Sequence, residues 1–265
     1  MAKKEKKIIK KLLAKYGEPY SGEIGINVKK ENPSNLFMWF VASNLFSARI
    51  SSSIAVDAAK SLFKRGWKSP RKMNKTSWNE RVQALNEAHY TRYQERTSTF
   101  LGDLSKKILE EYDGDLRKLR EKAGKNPQKM RKLLKEFKGV GNVGVDIFFR
   151  ELQMTWKELY PFADKKTLKA AKKMDLPNNA NDLLRLTGKS KFIKLLAALV
   201  RADLNKDYDL TLGEEKQEKD EKIVKKANKL AESKSKKDLY QEARSKNIQG
   251  RSNMNKQKLA EKLIK

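Results

Sequence analysis

Cysteine is absent from the 265-residue sequence. Its absence excludes disulfide bonds, a thiolate nucleophile, cysteine-ligated zinc and any iron–sulfur cluster held by cysteine. No stretch approaches the ~18 consecutive apolar residues of a membrane span. The basic, amphipathic N-terminus MAKKEKKIIKKLLAKYG lacks the apolar core and cleavage site of a signal peptide. We therefore expect a cytoplasmic protein with no membrane partner, no cofactor and no metal ion.

Acidic residues are few relative to basic ones. The chain carries 61 Lys and Arg against 33 Asp and Glu, which gives a formal net charge of +28. Lys and Arg displace condensed counterions from phosphates, so an excess of this size indicates a polyanionic partner. General solubility, or a lysine-rich proteome, is the alternative explanation.

Patterns typical of β-strands are also scarce, and apolar residues mostly recur at helical spacing. The apolar stretch at 34–48 is long enough for a buried helix. Ser77 followed by Glu80 has the spacing of a capping box at the start of another helix. A basic amphipathic helix is predicted over 127–137, with Pro127 in its first turn. The predicted fold class is therefore all-α.

Composition divides the chain into four segments. Residues 1–30 predict a basic N-terminal helix that contacts DNA or covers the core, and residues 31–204 predict a helical domain large enough to bury an interior. Residues 205–234 lose their aromatics except Tyr208 and alternate Lys with Glu, which is typical of a solvated linker or a single helix. Residues 235–265 recover apolar periodicity and predict a small separate unit.

Three glycines fall within six positions of the stretch FKGVGNVGVDIFF, residues 137–149. Their order, Gly-x-Gly-x-x-Gly, is the dinucleotide fingerprint, but that motif should follow a β-strand in a βαβ unit. Here it follows a predicted helix, and no Gly-Lys-Ser/Thr ends it as in a P-loop. The pattern instead predicts a helix, a Gly-Val-Gly turn and a second helix, with Gly144 leaving room for the two helices to pack tightly.

This turn has the features of a phosphate-binding site. We expect Gly139 and Gly141 to adopt positive φ and to let a ligand approach the backbone closely, while Val140 packs into the core. The N–H groups of the turn and of the next helix would bind an anion. A tight turn without a ligand is the alternative. The predicted contacts to a DNA phosphate are Lys138, Gly139, Val140, Gly141 and Asn142.

Through these residues the sequence resembles the helix–hairpin–helix DNA glycosylases, the endonuclease III superfamily. The family's hairpin typically reads Leu-Pro-Gly-Val-Gly, and residues 137–141 read Phe-Lys-Gly-Val-Gly. Downstream, YPFADKKTLKAAKKMDLP is similar to the family segment that has an aspartate at a helix start, and Asp164 takes that place. Upstream, LFSARISSSIAVDAAKSLF and AHYTRYQERTSTFLGDLSKKILEEYDGD are similar to the family's segments before the hairpin. The resemblance spans about residues 34–180.

The resemblance implies a base-excision repair enzyme that rotates a damaged or mismatched base out of the duplex and hydrolyses its N-glycosidic bond. Asp164 would stabilise the positive charge on the sugar, although it also suits an ordinary N-cap. Bifunctional members have a lysine where this chain has Val143, and valine cannot form an imine, so a monofunctional enzyme is expected. Arg49 replaces the family's DNA-intercalating glutamine and would fill the gap left by the base. A DNA-binding protein that keeps the fold without catalysis is the alternative.

The base pocket is expected between the first apolar helix and the second helix of the hairpin. Trp39 and Phe40 are candidates to stack on a base, although an aromatic residue on an apolar helix more often belongs to the core. Double-stranded DNA is the expected partner of a monomeric, nucleoid-associated protein. An RNA-binding protein is a further alternative.

Residues 235–265 resemble a second kind of nucleic-acid-binding unit. Ser235 and Asp238 make a capping-box-like start, and Gly250 permits a bend before a second helix. The run Ile-x-Gly-Arg-Ser-x-Met-x-Lys gives this helix–extended turn–helix its resemblance to the SAP-like module at the N-terminus of transcription terminator Rho. Such modules bind nucleic acid, here DNA or RNA, and a solvated basic tail is the alternative. The implied phosphate contacts are Lys236, Lys237, Arg244, Lys246, Arg251 and Lys256.

Overall fold

The computed structural model describes residues 2–208 and 222–264, and these residues form helices and connecting turns with no β-strand. The all-α prediction is therefore confirmed. The chain divides into two compact units, Met1–Lys206 and Asp207–Lys265. Among the described residues, no helix is long and apolar enough to cross a lipid bilayer.

The first unit is built from consecutive helices joined by short turns. In chain order they are α1 (Ala2–Tyr16), α2 (Tyr20–Glu23), α3 (Pro33–Ser47), α4 (Ser52–Lys64), α5 (Pro70–Asn74), α6 (Trp78–Glu87), α7 (Gln94–Tyr112), α8 (Leu116–Lys122), α9 (Pro127–Lys135), α10 (Asn142–Leu152), α11 (Lys165–Lys173), α12 (Ala180–Thr187) and α13 (Lys189–Leu204).

Local sequence signals explain where several of these helices begin. The side chain of Ser77 accepts a hydrogen bond from the N–H of Glu80, and the Glu80 carboxylate accepts one from the N–H of Ser77. The predicted capping box at the start of α6 is thereby confirmed. Pro127 occupies the first turn of α9, and the side chain of Asn126 caps that helix.

The N-terminal helix is part of the first unit. α1 packs against α12 and α13 and buries Ile8, Ile9 and Leu12. These positions share one face of the helix, because residues four apart lie one above the other. The unit therefore includes both the predicted segment 1–30 and the predicted domain 31–204.

Helices α3 and α10 pack against each other in the core. Trp39 and Phe40 of α3 are fully buried. The indole Nε1 of Trp39 donates a hydrogen bond to the carbonyl of Phe148 at 3.1 Å. The ring centroids of Phe40 and Phe148 are 5.0 Å apart. The hypothesis that Trp39 and Phe40 stack on a base is therefore wrong, since both belong to the core.

Gly144 faces α3. A Cβ atom at this position would lie 2.5 Å from Oδ1 of the Asn44 side chain, so a larger residue there would require the Asn44 side chain to shift. Close packing was predicted here between the two helices of the hairpin. The close contact is instead with α3, because α10 lies along that central helix.

The second unit contains α14 (222–233), α15 (Lys236–Ser245) and α16 (Lys256–Ile264). Its buried residues include Ala227 and Ala231 of α14 as well as Leu239 of α15 and Leu259 of α16. Part of the predicted linker 205–234 therefore belongs to this unit, whose start lies upstream of the predicted boundary. Residues 209–221 of that linker lie outside the described residues.

Candidate active site and nucleic-acid interface

The turn between α9 and α10 contains the predicted phosphate contacts. Gly139 has a φ of +93°, in the region that favours glycine. Gly141 has a φ of −101° and a ψ of 176°, which is extended backbone that any residue adopts. The expectation of positive φ is therefore correct for Gly139 and wrong for Gly141. Val140 is buried in the core, as predicted.

Gly141 is the N-cap residue of α10, and it has no side chain to cap that helix. The N–H groups in the first turn of α10 consequently lack a capping partner, and the helix dipole adds partial positive charge there. A Cβ atom at Gly141 would meet nothing within 4 Å, so the space in front of this turn is open. Lys138 and Asn142 are exposed beside it. This arrangement has the geometry of an anion site.

A cavity of about 490 Å³ lies beside the turn, and we call it the Arg49 cavity. Arg49 lines it together with Gly139, Gly141 and Asn142, so the structure brings Arg49 next to the predicted phosphate site. The Arg49 side chain is exposed, as a residue that contacts DNA requires. Five further residues that line the cavity come from α7 and the loop before it: Tyr90, Tyr93, Arg96, Thr97 and Phe100.

A second cavity, of about 310 Å³, contains Asp164 in its wall, and we call it the Asp164 cavity. Asn142 and Val143 line both cavities, so the two adjoin at the first turn of α10. The volume is at the small end of the range for ligand pockets, which suits one ring system. Its other lining residues are Tyr20, Phe46, Ser52, Asp146, Ile147, Arg150, Lys165, Lys166, Val200 and Leu204.

Asp164 caps α11 and also lines this cavity. Its Oδ1 accepts hydrogen bonds from the N–H groups of Lys166 and Thr167 at 3.0 and 3.1 Å. Its Oδ2 accepts hydrogen bonds from Nε of Arg150 at 2.6 Å and from Oγ1 of Thr167 at 2.8 Å. The N-cap interpretation is thus correct, and it does not exclude a chemical role because the same residue also lines the cavity.

The Asp164 carboxylate is ionised at neutral pH. Burial by itself would raise the pKa of Asp164, but the charge of Arg150 and the hydrogen bonds from Thr167 and Arg150 outweigh it and hold the pKa below its ordinary value. A carboxyl group with a low pKa is a poor proton donor and a weak base. It is, however, a fixed negative charge that stabilises a positive charge developing next to it.

Val143 occupies the position at which the resemblance implies a lysine in bifunctional enzymes. Its side chain is 56% exposed and lines both cavities, so this position faces the candidate site. Lys165 and Lys166 also line the Asp164 cavity. Partial desolvation, followed by the charge of Arg150, lowers the pKa of Lys166.

No protein-family model matches this sequence, and no curated protein matches it significantly. The residues around the two cavities are therefore the basis for assigning a function. Several of them were missed in the sequence, among them Tyr20, Phe46 and Arg150. Tyr20 lies in the segment predicted as a separate N-terminal helix, and Arg150 is one of 61 basic residues with nothing local to distinguish it.

The predicted phosphate contacts of the second unit differ in exposure. Arg251 is partly buried: its Nη1 donates a hydrogen bond to the carbonyl of Ile248 at 3.1 Å, and its guanidinium lies 6.0 Å from the ring centroid of Tyr240. Interactions within the unit thus hold this arginine. Lys236, Lys237, Arg244 and Lys246 are exposed, and Lys256 is partly buried.

Proposed function

We propose that this protein is a monofunctional DNA glycosylase with a helix–hairpin–helix glycosylase fold. It hydrolyses the N-glycosidic bond of a damaged or mismatched base that has been rotated out of duplex DNA. The main support is the position of Asp164, a buried, ionised carboxylate in the wall of a cavity of about 310 Å³. This cavity adjoins a glycine turn that has the geometry of an anion site.

DNA would bind across the turn and the Arg49 cavity. The N–H groups at the start of α10 would hold one phosphate, and Lys138 beside them would add positive charge. Arg49 would enter the space that the rotated base leaves in the duplex and stack there. The net charge of +28 would draw the protein to DNA of any sequence.

In the proposed reaction, the bond between C1′ of the deoxyribose and the base nitrogen breaks, and positive charge develops on the sugar. Asp164 stabilises that charge. The hydrogen bonds from Arg150 and Thr167 keep the carboxylate in place, so it does not have to reorient during the reaction. A water molecule completes the exchange: its oxygen bonds to C1′, and one of its protons leaves with the base. Because Val143 has no amine, the strand would stay intact at the abasic site.

The test uses duplex oligonucleotides that each carry one lesion: uracil, thymine glycol, oxidised guanine, an alkylated purine, a mismatched adenine or an abasic site. Strand breaks are measured with and without hot alkali. We expect breaks only after alkali, for at least one of the base lesions. Asp164→Asn should lower the excision rate about 10²- to 10³-fold, since it removes the charge that the transition state requires.

Asp146→Asn is the matched control. Asp146 lines the same cavity and pairs with Arg131 at 2.6 Å, so its replacement also removes a paired carboxylate, and excision should persist. The Asp164–Arg150 pair is buried, and removing one partner of a buried ion pair costs about 3–5 kcal/mol. The unfolding temperature and duplex affinity of both variants are therefore measured as well. If the wild type binds duplex DNA tightly but excises no lesion, a non-catalytic DNA-binding protein replaces this proposal.

A further inference from the structure

A group of lysines lies where α1 meets the first half of α13. These two helices pack against each other, and a cavity of about 730 Å³ is lined by Lys6 and Lys10 of α1 together with Lys191 and Lys194 of α13. Lys194 also lines a neighbouring cavity of about 440 Å³, to which α13 contributes Lys189 as well. We call these five residues the α1–α13 lysine surface.

Most of the positive charge of this surface has no acidic partner. All five lysines are exposed, and none of them makes an ion pair within the part of the chain that the structure describes. Glu18 is the acidic residue in the wall of the larger cavity. In the smaller cavity it is Glu151, which is 1% exposed and whose carboxylate accepts hydrogen bonds from the N–H groups of Tyr20 and Ser21. Five exposed cations with one exposed carboxylate among them attract a polyanion.

The α1–α13 lysine surface is separate from the site proposed for excision. Within the described residues, its two cavities share no lining residue with the Asp164 cavity or the Arg49 cavity. α13 reaches both regions, because Lys191 lies near its start and Leu204, which lines the Asp164 cavity, is its last residue. About 20 Å of helix separates these two positions. The lysine surface is therefore at the opposite end of α13 from the Asp164 cavity.

The apolar face of α1 bears on the kind of polyanion that this surface binds. A basic amphipathic helix binds an anionic membrane by burying its apolar face among the lipids. In α1 that face is already covered, because Ile8, Ile9 and Leu12 are buried where the helix packs on α12 and α13. Lysine side chains are then what this helix offers to a partner, and this favours nucleic acid over a lipid surface.

The spacing of the lysines suits a phosphate backbone. Lys6 and Lys10 are four residues apart on α1, and Lys191 and Lys194 are three residues apart on α13. Side chains at either spacing are neighbours on a helix surface, about 5–6 Å apart at Cβ. Duplex DNA carries one negative charge per about 1.7 Å of its axis, so each pair of lysines can contact successive phosphates.

We infer that the α1–α13 lysine surface binds the phosphate backbone of a second DNA duplex, in addition to the duplex at the Asp164 cavity. Such contacts do not depend on base sequence. Holding a second segment raises the effective concentration of DNA near the protein, and this would help the protein to pass from one segment to another. The inference goes beyond the proposed function, since binding at this surface does not require excision.

Acetylation of lysine amines in the full chain, read by mass spectrometry, tests where DNA binds. The probe is a short undamaged duplex added in increasing amounts. We expect Lys138 to be protected first, and Lys191 and Lys194 to be protected only when more than one duplex is bound per protein. The variant Lys10→Gln/Lys191→Gln/Lys194→Gln should bind one duplex fewer than the wild type, counted by native mass spectrometry at the duplex concentration that saturates the wild type.

The variant Lys60→Gln/Lys64→Gln/Lys68→Gln is the matched control, because it removes the same charge from three other exposed lysines. These line a different cavity, of about 640 Å³, whose wall also contains Asp57 and Glu87. The control should bind as many duplexes as the wild type, and the unfolding temperatures of both variants establish that they fold. An equal loss in both variants would show a general electrostatic effect and overturn the inference.

Three other results would also overturn it. Lys191 and Lys194 could stay reactive at saturating duplex, or they could be protected together with Lys138 by the first duplex, which would mean that one duplex covers both regions. Protection by anionic lipid vesicles but not by DNA would make this a membrane-binding surface. A wild type that excises no lesion but shows the expected protection overturns the proposed function alone.

Discussion

The Nε of Arg150 donates a hydrogen bond to Oδ2 of Asp164 at 2.6 Å, and the two side chains are 4% and 3% exposed. This ion pair joins α10 to the start of α11. The open turn at Gly141 begins the same helix that carries Arg150. One helix therefore connects the candidate phosphate site to the candidate carboxylate, and it fixes the position of one relative to the other.

The pH dependence of stability tests this ion pair. The pKa of Asp164 is lowered in the folded protein, so ionised Asp164 stabilises the fold above its unfolded pKa of about 3.9. That contribution is lost as the pH falls through the folded pKa. The wild type should be more stable than Asp164→Asn by a constant amount above about pH 5, with a smaller difference below about pH 4. Urea unfolding of both proteins at a series of pH values measures this difference in the free energy of unfolding. A difference that becomes larger in acid would contradict the ion pair.

Gly141→Ser should change stability and DNA binding in opposite directions. The backbone of Gly141 is extended, and a Cβ there meets nothing within 4 Å, so serine fits and its hydroxyl can cap α10. Stability should rise by about 0.5–1 kcal/mol. Duplex affinity should fall, because the hydroxyl occupies an N–H group that would bind phosphate. Thermal unfolding and a binding titration at fixed salt measure the two effects, and unchanged affinity would exclude this turn as the phosphate site.

Val143→Lys should introduce strand cleavage. The position is 56% exposed and lines the Asp164 cavity, so an amine placed there can reach the sugar without a large cost in stability. The amine would attack the aldehyde of an abasic site and form an imine with loss of water. Borohydride should then trap a covalent complex with abasic duplex DNA.

Val224→Lys is the matched control for this gain of activity, because Val224 is also an exposed valine, at 43%, but belongs to the second unit. It should give no more trapped complex than the wild type. Equal trapping by both variants would mean that position 143 does not face the sugar.

The second unit should add affinity without affecting catalysis. Lys236 and Lys237 are exposed in the first turn of α15, where glutamates favour the helix dipole, so reversing both charges should not unfold the unit. Duplex affinity should fall, and the slope of log K against log salt should become shallower by about two. Excision at saturating protein should not change. Reversing Lys29 and Lys30 on the first unit makes the same charge change, and an equal loss of affinity there would indicate only a general electrostatic effect.

Features that depend on residues close together in the chain could be predicted from the sequence. The capping boxes of Ser77 and Ser235 are present as predicted, because each involves residues three positions apart. The positive φ of Gly139 and the burial of Val140 followed from the local turn pattern. The helix cap formed by Asp164 could also be predicted, because it involves residues two and three positions further along the chain.

The residues that surround the cavities could not be predicted, because distant parts of the chain bring them together. α3 is apolar on every side, so its sequence cannot show that Phe46, rather than Trp39 or Phe40, reaches the Asp164 cavity. The backbone of Tyr20 is bound by Glu151, 131 positions away. Periodicity reports which face of a helix is buried, but the helix that covers it is chosen by the packing of the whole core. For that reason the partners of Asp164 and Tyr20 could not be found until the helices were seen together.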